Sequence, residues 1–104
     1  MRIAHLDTGR SWRGGQAQVL LLMGGLRDRG GSCVLIAPPG PLLERAAKAG
    51  FETHAWSSRG ELDLPAVLHA TRLLRGAAVA HAHSAHAHAL GVPAARLAGV
   101  PAVV

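Results

Sequence analysis

Apolar residues recur along the chain at two alternating spacings. Ile3-Ala4-His5-Leu6 is a short apolar run closed by Asp7 and a loop rich in glycine, serine and arginine, the pattern of a buried strand. From Gln16 the period lengthens, and Val19, Leu22, Met23 and Leu26 form one apolar stripe of a helix that ends at Gly30-Gly31. Gly24-Gly25 weakens that helix by roughly 1 kcal/mol per residue relative to alanine, a cost often accepted where a helix lies close to a sheet. Cys33 to Ala37 predicts a second strand, stopped by Pro38-Pro39-Gly40-Pro41. Leu42, Leu43, Ala46 and Ala47 then predict a short helix ended by Gly50, and Phe51 to Trp56 a third strand. Asp63 is a good N-cap with Pro65 in the first turn, ahead of a stripe of Leu64, Val67, Leu68, Thr71 and Leu74. Ala78 to His83 reads as a fourth strand and Ala85 to Leu97 as a fourth helix, with Pro93 inside it or splitting it. Pro101 to Val104 begins a fifth strand.

This order, βαβαβαβαβ, implies right-handed crossovers and a parallel sheet covered on both faces. The expected fold class is α/β, a Rossmann-like doubly wound sheet in three α/β/α layers. In such sheets ligands lie beyond the carboxyl ends of the strands, here the loops 7 to 15, 37 to 41, 56 to 62 and 83 to 86. Fold alone does not choose a function.

Composition narrows the choice. A chain of 104 residues, 49% hydrophobic and 16% charged, is at most one globular domain. Its net charge of +5 rests on ten arginines and Lys48 and favours an anionic partner. Nucleic acid is not expected, because Arg27, Arg29, Arg45, Arg72, Arg75 and Arg96 are spread over several helices and only three aromatics are available for stacking. Cys33 is the only cysteine, which excludes an internal disulfide and a thiolate zinc cluster within one chain and makes the cytoplasm the natural compartment. Residues 1 to 7 lack a basic region followed by an apolar stretch and cleavage site. The longest apolar run, Val19 to Met23, is too short to span a bilayer, so a peripheral membrane contact through the arginines is the most that is expected.

The loop after the first strand, Asp7-Thr8-Gly9-Arg10-Ser11-Trp12-Arg13-Gly14-Gly15-Gln16, is the most informative stretch. Gly14-Gly15 stands where loop becomes helix, so backbone N–H groups and a positive helix end can face an anion with no Cβ in the way, and Arg10 and Arg13 add charge. Neither G-x-G-x-x-G nor a glycine-rich loop ending in Gly-Lys-Ser/Thr occurs, which disfavours nicotinamide and ATP chemistry. The same glycines would equally serve a tight loop-to-helix turn.

MRIAHLDTGRSWRGGQAQVLLLMGGLRDRG, followed by VLIAPPGPLLERAAKAGFE and HAHSAHAHALGVPAARLAGVP, resembles the N-terminal domain of retaining glycosyltransferases of GT-B architecture, the glycosyltransferase family 4 type. The resemblance implies that residues 1 to 104 are part of an acceptor-side Rossmann-like domain, with the C-terminal donor-binding domain absent and the chain inactive alone. It implies a nucleotide-sugar donor, a lipid-linked or envelope glycan acceptor, and no cofactor. The family's glycine pair, which approaches the donor diphosphate, maps onto Gly14 and Gly15 beside Arg13. Its His-x-His pair, whose second member lies at the reaction centre, maps onto His81-Ala82-His83. His83 is therefore the candidate catalytic residue, against the plainer alternative of a strand-end histidine. Before this pair the family commonly has Asp-Val-Val-His, where this chain has Ala78-Val79-Ala80-His81.

Arg10, Trp12, Ser84 and His86 are candidates for the acceptor cleft, although Trp12 and Trp56 equally suit half-buried tryptophans closing the core. His81, His83, His86 and His88 fall within eight residues, yet His86 and His88 sit two apart on a helix and diverge, so no physiological metal is expected from this cluster. His5, His54 and His69 are expected to be ordinary core or surface residues. Two rival functions remain: a small non-catalytic Rossmann-like domain that binds a phosphorylated ligand or partner through the glycine loop, and a histidine-rich metal-binding module. The fifth strand would leave an open sheet edge, which invites self-association.

Overall fold

The computed structural model describes residues 1–104 and contains β1 (Arg2–Leu6), α1 (Gly14–Asp28), β2 (Ser32–Ala37), α2 (Pro41–Lys48), β3 (Glu52–Ala55), α3 (Leu64–Leu74), β4 (Val79–Ala82), α4 (Ala85–Ala98) and β5 (Ala102–Val103). All strand pairs are parallel and the order across the sheet is β3-β2-β1-β4-β5. The chain therefore winds outward from β1 to one edge, then returns to the other side of β1. The carboxyl ends of β1 and β4 flank the point where the winding reverses, the place where sheets of this kind leave a crevice.

Two apolar layers hold the sheet. Below it, α3 and α4 pack on Ala4, Leu6, Val34, Ile36 and Ala80, and seven of the fifteen residues in this layer are alanine. Small side chains let the two helices approach each other and the strands closely. Above it, α1 and α2 cover Ile3, Cys33, Leu35 and Ala37 through Val19, Met23, Leu42 and Ala46. Trp56 anchors the lower layer at 1% exposure, its indole N–H donating to the Ala66 carbonyl at 2.9 Å.

The elements follow local chemistry. Asp63 caps α3 through Oδ1, which accepts from the Ala66 N–H at 3.1 Å, and Pro65 occupies the first turn. Gly99 takes the left-handed conformation that ends α4. Pro93 lies inside α4 without splitting it: it is exposed, so the carbonyl one turn back loses its helical donor on the solvent side.

Two expected stripes are rotated in the structure. In α1 only Val19 and Met23 are buried, while Leu22 is 38% exposed. In α3 the buried set is Ala66, Val67, Ala70, Thr71 and Leu74, leaving Leu64 and Leu68 exposed. Ala66, Val67, Ala70 and Thr71, whose hydroxyl donates to the Val67 carbonyl at 2.8 Å, take the buried face together with Leu74.

Candidate functional site

The site is built on the last residues of β1 and β4. His5 and His81 are register partners on these adjacent strands, and His83 lies two residues beyond His81, so all three imidazoles emerge on the same side of the sheet. The His83 N–H continues the ladder by donating to the Leu6 carbonyl at 2.9 Å. His5 is fully buried, whereas His81 and His83 are partly exposed. His5 Nδ1 lies 2.9 Å from His83 Nε2, in hydrogen-bond contact, and the rings of His81 and His83 stack with centroids 3.9 Å apart.

No carboxylate hydrogen-bonds these rings, and burial dominates their titration. Burial, and then the neighbouring His83 and His81, lower the pKa of His5 to about 3. Burial and His81 lower that of His83 to about 4, against an opposing pull from Asp7, and burial also lowers that of His81. At neutral pH the cluster is therefore uncharged, and His83 offers a neutral ring whose Nε2 is engaged with His5 and whose Nδ1 is left for a ligand.

Two loops close around this cluster. Asp7, 3% exposed, accepts from the Gly9 N–H through Oδ1 at 3.0 Å and from the Gln16 amide through Oδ2 at 3.4 Å. Gln16 Oε1 in turn accepts from the Arg13 N–H at 3.2 Å, so one side chain links the end of β1 to the start of α1. Gly9 is needed for this link, because a Cβ there would lie 2.1 Å from Gln16 Nε2. Gly40 plays the matching part in the next loop, where a Cβ would stand 3.0 Å from the Arg10 carbonyl oxygen. From the other side, the Thr8 and Ser84 hydroxyls lie 3.0 Å apart, joining the β1 and β4 loops.

The residues singled out in the sequence divide by location. Gly14 and Gly15 open α1 and are exposed, with nothing within 4 Å of the position a Cβ would take, so their backbone is free to be approached. Arg10 and Arg13 are exposed in the same loop. Trp12 packs on the upper apolar layer with the Arg45 guanidinium 4.2 Å above its ring, a core-closing position; Trp56 is also core. Ser84 Oγ accepts from the Ala87 N–H at 3.1 Å as the N-cap of α4, and His86 Nε2 lies 2.7 Å from Ser58 Oγ. His88 is exposed, and neither His86 nor His88 joins His81 and His83. The member that sequence reasoning missed is His5, together with the Asp7–Gln16 link. The period-two pattern places Ile3, His5 and Asp7 on one strand face, but their register against β4 is a tertiary fact.

No protein-family model and no curated protein matches the chain in sequence. Solved structures do match it in shape, and what they share with it is the α/β, Rossmann-like fold that makes up part of each of these larger proteins. The chain is similar to HepE of Anabaena in complex with UDP-glucose at TM-score 0.79 and 17% identity, over 98% of this chain and 28% of that one. It is similar to MurG of Acinetobacter baumannii at TM-score 0.78 and 16% identity, over 98% of this chain and 34% of that one. A glycosyltransferase from Rickettsia africae matches at TM-score 0.78 and 13% identity, over 98% and 28%. The chain thus spans about a third or less of the length of these proteins.

Proposed function

We propose that this chain forms the acceptor-side half-domain of a glycosyltransferase that uses a nucleotide sugar, of the retaining family 4 type. The observation that carries the proposal is the meeting of an open, glycine-started helix and His83 at the β1/β4 reversal of a GT-B-like sheet. HepE holds UDP-glucose, or UDP and glucose, at a site in a protein whose matching portion has this shape.

In this reading the Gly14 and Gly15 N–H groups and the dipole of α1 face the donor diphosphate, with Arg13 adding charge. His83, neutral and held at Nε2 by His5, presents Nδ1 to a hydroxyl of the transferred sugar. Its low basicity suits it to hydrogen bonding and sugar orientation, and makes it a poor acceptor for a full proton at neutral pH. The Ser84 and His86 side chains are engaged by Thr8, Ala87 and Ser58, so their part in an acceptor cleft would be to hold its wall. No helix is long and apolar enough to cross a membrane. A lipid-linked or envelope glycan acceptor, reached at the cytoplasmic surface of a membrane through the exposed arginines, fits the +5 charge.

Titration of the 15N-labelled chain with UDP-glucose, followed by amide shifts, tests this proposal. Saturable shifts at Arg13, Gly14, Gly15 and His83, stronger with UDP-glucose than with inorganic pyrophosphate, are expected. Equal response to pyrophosphate would reduce the site to an anion site, and shifts confined to other surfaces would reject the reading.

A further inference from the structure

We infer that His5, His81 and His83 form a three-imidazole site for a single divalent transition-metal ion, Zn²⁺ being the best-suited occupant. One ring nitrogen from each residue lies within 4.8 Å of the corresponding atoms of the other two. A tetrahedral zinc with bonds of about 2.0–2.1 Å sets its ligand nitrogens about 3.3 Å apart. The His5–His83 pair, at 2.9 Å, is already inside that separation. His81 needs to close by about 1.5 Å at most to reach the same tetrahedral spacing, and its ring is partly exposed.

The backbone supplies the chelate. A His-x-His pair on one strand puts two rings on one face, and the in-register histidine of the neighbouring parallel strand supplies the third. His5 and His81 come from two hydrogen-bonded strands, and the His83 N–H bond to the Leu6 carbonyl carries the same pairing one residue past β4.

A second observation comes from His5 itself. Its ring is fully buried, one nitrogen meets His83, and Nε2 has no hydrogen-bond partner. An orphaned buried polar atom costs roughly 1–3 kcal/mol. Nδ1, the nitrogen already facing His83, is the one placed to bind an ion, and the ring carries one more polar atom than its surroundings satisfy. The ion would take the place of the proton now shared between His5 and His83, and that proton moves to the other nitrogen of its own ring. Three neutral donors leave a fourth position for water or an anion on the exposed side, and the buried Asp7 carboxylate stands near enough to His83 to offset part of the added charge. The exposed histidine-rich stretch is not the site: His86 is bound to Ser58 and His88 faces solvent.

The inference depends on these rings alone and stands independently of the glycosyl-transfer reading. An ion bound there would engage His83 at Nε2, the nitrogen that now meets His5. The test is metal titration of the chain, using Zn²⁺ against a chromophoric chelator and Co²⁺ as an optical probe. One ion per chain and intense visible Co²⁺ bands of tetrahedral type are expected. His81→Ala and His83→Ala should each weaken Zn²⁺ by at least roughly tenfold, while the double variant His69→Ala/His88→Ala, which removes two exposed rings, should stay within about twofold. Both site variants change partly exposed residues, and circular dichroism checks that they remain folded. Absence of stoichiometric Zn²⁺ binding would overturn the inference. So would a weak octahedral Co²⁺ spectrum, or affinity that follows His69 and His88 instead of His81 and His83.

Discussion

Replacing His5 with leucine should flatten the acid side of the stability curve. His5 is fully buried with a pKa near 3, against 6.5 for an unhindered histidine. Between those values the unfolded chain binds a proton at this residue that the folded chain refuses. Stability therefore rises with pH across the window, is complete above about 6.5 and is lost progressively as pH falls below it. At pH 5 the gap from 6.5 amounts to 1.5 pH units, so His5 alone should cost about 2 kcal/mol relative to pH 7, and about 3 kcal/mol at pH 4. His83 and His81 act with the same sign, but their partial exposure reduces what each adds. Leucine fits a site of similar volume and cannot titrate.

Urea unfolding of both proteins at pH 7, 6, 5 and 4 in EDTA, which keeps any cation away, measures the difference directly. The parent should lose about 2 kcal/mol more than His5→Leu between pH 7 and pH 5. Parallel curves would mean that folded His5 accepts a proton as readily as unfolded His5, and would refute the burial argument from which the neutrality of the cluster follows.

Two further outcomes follow from the packing. Trp56→Phe removes an indole hydrogen bond and leaves a void at the base of the lower apolar layer, so urea unfolding should show a loss of about 2 kcal/mol; a loss below 0.5 kcal/mol would contradict its role as an anchor. Gly40→Ala sets a Cβ against the Arg10 carbonyl and should cost about 1–2 kcal/mol while shifting the amide signals of residues 10 to 15, the loop that leads into α1.

Much of this architecture was legible in the chain. The switch between strand and helix periods located every element, and the alternation alone implied a parallel doubly wound sheet, as the structure shows. What periodicity could not supply was the choice of buried face where alanine replaces leucine. The apolar stripe includes Leu64 and Leu68, yet both are exposed, and Ala66 and Ala70 are buried in their place. The site divides in the same way. Gly14, Gly15 and His83 stood out because their chemistry is local: a bare helix start and a histidine at a strand end. His5 did not, because a lone histidine in an apolar strand is ordinary until the register of β1 against β4 brings it to His81 and His83. Asp7 was hidden likewise, since its bond to Gln16 depends on how the loop folds back on α1.

The central claim, that the β1/β4 reversal is the donor-facing wall of a glycosyltransferase half-domain, is tested most directly by locating UDP-glucose on the chain. A crystal structure of the complex, or intermolecular NOEs in solution, would do so. The account predicts the diphosphate against the Gly14 and Gly15 N–H groups with the glucose ring beside His83. A nucleotide sugar seated on another face, with His83 and the start of α1 untouched, would contradict it.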